Sequence, residues 1–124
     1  MERRLFAPIT TSSPGAQANE ASQRRNSAVT SLRIFAHGKA KPGQAVVLRA
    51  LVVDLLKNSR GESGLEIYEA FESLDGQEFI FSEQYAGQEA LNRHMNTARF
   101  KEIMALIYPI IDGEIRIWTV NQIT

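Results

Sequence analysis

Residues 65–86 read LEIYEAFESLDGQEFIFSEQYA, and the Asp75-Gly76 pair near its centre decides how the chain folds. On either side stand two strand-like runs, Leu65–Leu74 and Gln77–Ala86, carrying Ile, Tyr and Phe at strand-forming positions. Asp-Gly between such runs is the strongest short-range hairpin signal, because a type I′ turn needs positive φ at both central residues. With Asp75 and Gly76 as a two-residue loop, Leu74 faces Gln77, and stepping back in register sets Tyr68 directly across from Glu83. Side chains two residues apart share a face, so Phe79, Phe81 and Tyr85 join Glu83 and Tyr68 on one side of the sheet.

Outward from the hairpin, the remaining elements follow from periodicity. Leu32, Ile34 and Ala36 alternate with Arg33, Phe35 and His37, a first strand closed by Lys41-Pro42-Gly43. In Gln44–Arg60, Val47, Leu48, Leu51, Val52, Leu55 and Leu56 recur at helical spacing and form one apolar stripe. A second helical region runs from about Gln88 to Ile107 and is expected to break at Asn96-Thr97, where Thr97 caps a new helix. Phe100, Ile103, Met104 and Ile107 are that piece's buried stripe, and Glu114–Ile123 is a last strand. The order β-α-β-β-α-β is an α+β, ferredoxin-like fold with a four-stranded antiparallel sheet.

The fold occupies residues 32–124, and residues 1–31 read as a flexible N-terminal extension. Eleven of those 31 residues are Ser, Thr, Pro or Gly, too few being large and apolar to offset the entropy of ordering. Arg3, Arg4, Arg24 and Arg25 leave two readings open, an organelle transit peptide or a plain tail, and the lack of amphipathic periodicity favours the tail.

Two helices cover one face of a four-stranded sheet. A wet second face would show polar residues at every other strand position. Instead strand two carries Leu65, Ile67 and Phe71 against Tyr68 and Ala70, and strand four carries Ile115 and Ile117 against Trp118 and Val120. Both faces need cover, and a homodimer through the bare face is the simplest supply.

Composition removes whole classes of function. The 14 basic and 14 acidic residues balance, so the charge excess of a nucleic-acid binder is missing. With no cysteine there are no disulfides, thiolate nucleophiles or cysteine metal sites, and a cytoplasmic location is compatible. The most apolar run, Ala45–Leu56, is interrupted by Arg49 and Asp54, so no membrane span is expected. His37 and His94 lie far apart without a carboxylate motif, so neither a metal nor another cofactor is expected. Phosphate-loop and nucleophile-elbow motifs are also absent from the sequence.

The hairpin face holds the candidate chemistry. A carboxylate among aromatic rings can have its proton affinity raised by desolvation, which suits Glu83 to acid–base work. Equally, Glu83 can be a structural acceptor for the Tyr68 hydroxyl. His94, in step with Leu91 and Met95, belongs at the edge of a buried helical stripe, as a structural histidine or as a proton shuttle and phenol anchor.

Three segments, KAKPGQ at 39–44, SRGESGLEIYEAFES at 59–73 and FIFSEQYAGQEALNRHMNTARF at 79–100, together resemble the antibiotic biosynthesis monooxygenase-like family. That family shows Lys-Pro-Gly after strand one and Glu-x-Gly before strand two. A strand ending in Glu plus an aromatic follows, then a helix start with Glu-Ala, a His, a Thr and a Phe. The resemblance implies a dimeric α+β barrel with a small apolar pocket in each subunit. Relatives oxidise quinols or polyketide anthrones with oxygen and no metal or flavin, others isomerise small ketones, and others degrade haem. Tyr85 stands where many members carry Trp. The Asn, Trp and His of the haem degraders are not matched here, where His37-Gly38, Tyr85 and Met104 fall near those places, so haem is not expected.

The expected function is therefore a cofactor-independent monooxygenase acting on a small phenolic or quinol-type substrate. A carbonyl isomerase on the same fold, or a non-catalytic small-molecule-binding dimerisation module, are the alternatives. His94, Glu83 and Tyr68 are the expected catalytic residues, and His37, Tyr85, Phe81 and Phe100 the expected substrate contacts. The expected partners are a second copy of the chain and a small aromatic molecule.

Overall fold

The structure is a computed structural model that describes residues 31–124, so the extension read at 1–31 lies, apart from Ser31, outside the described residues. The elements are β1 (Leu32–Lys39), α1 (Ala45–Ser59), β2 (Leu65–Glu72), β3 (Glu78–Tyr85), α2 (Gln88–Asn96), α3 (Ala98–Ile107), a 3-10 turn (Tyr108–Ile110) and β4 (Arg116–Val120). The strands form one antiparallel sheet in the order β2-β3-β1-β4. This is the ferredoxin-like α+β arrangement, with the helix region after β3 divided in two.

The turn between β2 and β3 differs from the expected type I′. Only Gly76 takes positive φ, at 73°, and no other residue type among the described residues does so. Gly76 N donates to the Ser73 carbonyl, and Ser73 N donates to the Glu78 carbonyl, both at 2.8 Å. The loop is thus Leu74–Gln77. Asp75 stays out of the left-handed region because its carboxylate has local work: Oδ1 accepts from Ser73 Oγ at 2.6 Å and from Gln77 N at 3.0 Å. Those two hydrogen bonds hold its carboxyl below the usual range. The longer loop adds one residue to each side, so the register is unchanged and Tyr68 still opposes Glu83.

Strict alternation fails at one other point. The register shifts between Leu65 and Ile67, which brings Leu65 opposite Tyr85 and packs it against the core, away from the face of Ile67 and Phe71. On α1 the buried line is Leu48, Val52, Leu55 and Ser59, while Val47 stays 49% exposed. The stripe is therefore rotated slightly from the one the apolar residues outline.

The break between α2 and α3 falls at Thr97 as expected. Its Oγ1 accepts from Phe100 N at 3.2 Å and donates to the His94 carbonyl at 3.0 Å, satisfying groups at both helix ends. The cap points Phe100, Ile103, Met104 and Ile107 into the core.

The turn entering β2 is packed tightly against α2. Gly64 has φ +81°, and a Cβ there would lie 2.6 Å from the Ala90 Cβ. Its carbonyl accepts from Ala86 N at 2.7 Å, and the neighbouring Ser63 carbonyl accepts from Arg93 Nη2 at 3.3 Å. Replacing Gly64 by Ala should cost about 2 kcal/mol or more, from left-handed strain plus overlap. Urea unfolding of Gly64→Ala measures this, and a loss below about 0.5 kcal/mol would show that the turn shifts freely.

Candidate active site

A cavity of about 90 Å³ lies between the helices and the sheet face they cover. Its walls are mostly apolar: Leu48, Val52 and Leu55 from α1, Leu91 and Met95 from α2, and Phe100, Met104 and Ile107 from α3. Ile34, Ala36, Phe79, Phe81, Ile115 and Ile117 close it from the sheet side. Five polar residues interrupt this lining: Tyr68, Glu83, Tyr85, His94 and, at its border, His37.

His94 lies deeper than helical spacing suggests, at 2% exposure rather than at the stripe's edge. Three aromatic rings enclose it, with centroids at 4.7 Å for Phe100, 5.0 Å for Tyr68 and 5.7 Å for Tyr85. Nδ1 lies 2.7 Å from Glu62 Oε1. A carboxylate only accepts, so this contact places the imidazole proton on Nδ1 and leaves Nε2 with a free lone pair. Nε2 is buried and has no hydrogen-bond partner among the described residues. Burial pushes the His94 pKa down, while Glu62 pulls it the other way through the hydrogen bond and its charge. The net shift is downward, so the ring is neutral at neutral pH and Nε2 is an acceptor.

Glu83, midway along β3, receives the Tyr85 hydroxyl on Oε1 at 2.5 Å. Burial pushes its pKa up to about 7, against the opposing effect of that hydrogen bond. The donor is Tyr85 and not Tyr68, the one the register suggested. Tyr68 instead interacts with the side chain of buried Ser59 on α1. Both phenols are held far above their usual range, by burial first and the nearby Glu83 charge second, so they remain neutral donors.

All seven residues singled out in the sequence line the cavity, Tyr68, Phe81, Glu83, Tyr85, His94 and Phe100 on its walls and His37 at its border. His37 differs from the others in where its ring goes. It borders the cavity, but its pairing with Ile80, beside the Ala36–Phe81 pair, sends its ring to the opposite sheet face. There Nε2 meets Glu78 Oε1 at 2.8 Å. Glu62 is the residue that sequence reasoning passed over. Its only signal was its place in Glu62-Ser63-Gly64, read as a family feature before β2 rather than as the partner of a histidine 32 residues later.

The family model described as antibiotic biosynthesis monooxygenase matches residues 32–106. The chain belongs to the antibiotic biosynthesis monooxygenase family. A Mycobacterium tuberculosis protein named "Putative monooxygenase Rv0793" is 28% identical over 74 residues, which cover 60% of this chain and 73% of the relative. The solved structure of Rv0793 superimposes with a TM-score of 0.71 at 22% identity, covering 77% of this chain and 97% of that one. PA3566 from Pseudomonas aeruginosa gives 0.72 at 26% identity, covering 78% and 98%. In this member of the antibiotic biosynthesis monooxygenase family, Glu62, Tyr68, Glu83, Tyr85 and His94 all fall inside the matched segment. Among the described residues, no cluster of three His, Asp or Glu side chains is placed to hold a metal ion, and no helix is long and apolar enough to cross a membrane.

Proposed function

We propose that the chain is a cofactor-independent monooxygenase of small phenolic or quinol-type compounds, with His94 as the base. One observation carries this reading: His94 Nε2 is a buried acceptor without a partner among the described residues, on the wall of an aromatic cavity, and its ring is fixed through Nδ1 by Glu62. A phenol bound there donates its O–H to Nε2. Proton transfer yields a phenolate, and the Glu62 carboxylate stabilises the imidazolium that forms, as the carboxylate of a Ser-His-Asp triad does for its histidine. The phenolate is electron-rich enough to reduce molecular oxygen by one electron, and the two radicals combine on a ring or methylene carbon to a peroxide. The peroxide takes the proton back from His94 and loses water as its O–O bond and the C–H bond at that carbon break, leaving a carbonyl. The balance closes on substrate and oxygen alone, SH2 + O2 → SO + H2O, with two substrate hydrogens leaving in the water.

The apolar walls serve the same chemistry. They exclude bulk water, which would solvate the phenolate and raise the cost of electron transfer. Tyr68 and Tyr85, both neutral, and the rings of Phe81 and Phe100 hold a flat substrate in place. An isomerase would use the same His94 to move a proton beside a carbonyl, and differs in needing no oxygen.

The same proposal includes a homodimer. The sheet face away from the helices exposes Phe71 (56%), Ile80 (45%) and Trp118 (47%), large side chains that association would cover. Light scattering at micromolar concentration should give about twice the 13.9 kDa chain mass, and Trp118→Glu should shift it toward one chain. A monomeric mass for the unaltered protein would overturn the dimer.

Oxygen uptake with a panel of quinols and hydroxyanthrones, without added metal or flavin, tests the reaction. Turnover should require oxygen and fall by at least about 100-fold in His94→Ala. Glu62→Gln should move the acid limb of the pH profile to lower pH, because the carboxylate that raises the His94 pKa is gone. Turnover independent of oxygen would contradict the monooxygenase reading and favour the isomerase, and saturable binding without turnover would favour a binding module.

A further inference from the structure

The mechanism above uses His94 as the proton acceptor and leaves Glu83 unassigned. Glu83 is placed unusually for a carboxyl group. It sits on β3 between Ile34 of β1 and Tyr68 of β2, with its side chain on the cavity wall. The groups that face it are Tyr68 from β2 and Tyr85 from β3, and neutral His94 from α2 lines the same cavity. None is a cation, and among the described residues no ion pair involves Glu83. Tyr85 already supplies a hydrogen bond to Oε1 at 2.5 Å. An ionised carboxylate in this position would be an anion held by the Tyr85 hydrogen bond in a largely apolar cavity.

We propose that Glu83 is the cavity's hydrogen-bond donor, a protonated carboxyl that offers its O–H to an acceptor oxygen of the ligand. With the base assigned to His94, on which only this second half depends, the site then takes a flat aromatic molecule with two unlike oxygens. A hydroxyl gives its proton to His94 Nε2, and a carbonyl oxygen receives the Glu83 O–H. Burial supports the assignment by raising the Glu83 pKa to about 7. The sign follows directly: the donor is present below pH 7 and is lost as pH rises through it. Above that point the same carboxylate repels a carbonyl oxygen.

Calorimetric binding of three simple probes, phenol, acetophenone and 2-hydroxyacetophenone, separates the two halves. Acetophenone has a carbonyl and no acidic hydroxyl, so it reports Glu83 alone. Its affinity for the unaltered protein should fall by about tenfold per pH unit above 7 until the ionised form's own affinity takes over. Glu83→Gln carries an amide that donates at every pH and should flatten this dependence. Glu83→Leu should bind acetophenone at pH 6 at least about tenfold more weakly than the unaltered protein and with no dependence on pH, while still binding phenol. Equal acetophenone affinity at pH 6 and pH 9, the same fall in Glu83→Gln, or no acetophenone binding at pH 6 would each overturn the assignment. Phenol reports His94: binding indifferent to His94→Ala would remove the proposed base and leave the Glu83 assignment standing.

Discussion

The hydrogen bond from His94 Nδ1 to Glu62 is the interaction on which the site depends. A fully buried imidazole is costly unless its N–H is satisfied, and Glu62 satisfies it at 2.7 Å from a turn that remains partly open to solvent. The same bond decides which nitrogen faces inward. Without it the ring could present either nitrogen to the cavity, or turn away, and the acceptor would not be fixed. The backbone around Gly64 keeps Glu62 in reach, since that glycine lets the turn lie directly on α2 beside Ala90. Sequence, turn geometry and chemistry are linked there through one residue that lacks a side chain.

The second constraint is the register of the β2–β3 hairpin. It sets Tyr68 opposite Glu83 and, through the pleat, places Tyr85 on the same side. A slip of β3 by one residue would send Glu83 and Tyr85 to the outer face and turn Ser82 and Gln84 toward the cavity. Two environments result on one sheet. The helix-covered face combines apolar walls with a few neutral polar groups, and the outer face carries the His37–Glu78 pair among exposed aromatic and aliphatic residues.

Much of this was legible in the sequence, for identifiable reasons. Strand alternation and the Asp75-Gly76 signal located the hairpin, and Thr97 marked the helix break, because those signals act within a few residues. The turn type was misread because the Asp75 side chain bonds Ser73 and Gln77, an alternative that the dipeptide alone does not reveal. Tyr68 and Tyr85 were both near Glu83 by register, but side-chain reach decided in favour of Tyr85. The burial of His94 and its pairing with Glu62 were hidden because they depend on how α2 docks across the turn before β2, a long-range contact. His37 was grouped with the site as a titratable residue, although its own alternation with Ala36 already pointed it the other way.

The protonation state of His94 tests the central claim most directly. Nitrogen-15 NMR of the imidazole at pH 7 distinguishes the two neutral tautomers and the cation without requiring a substrate. A neutral ring protonated at Nδ1, with Nε2 bare, is the expected result, and Glu62→Ala should loosen that preference. An imidazolium at pH 7, or a neutral ring protonated at Nε2, would mean that the cavity holds no base at this position and would contradict the mechanism.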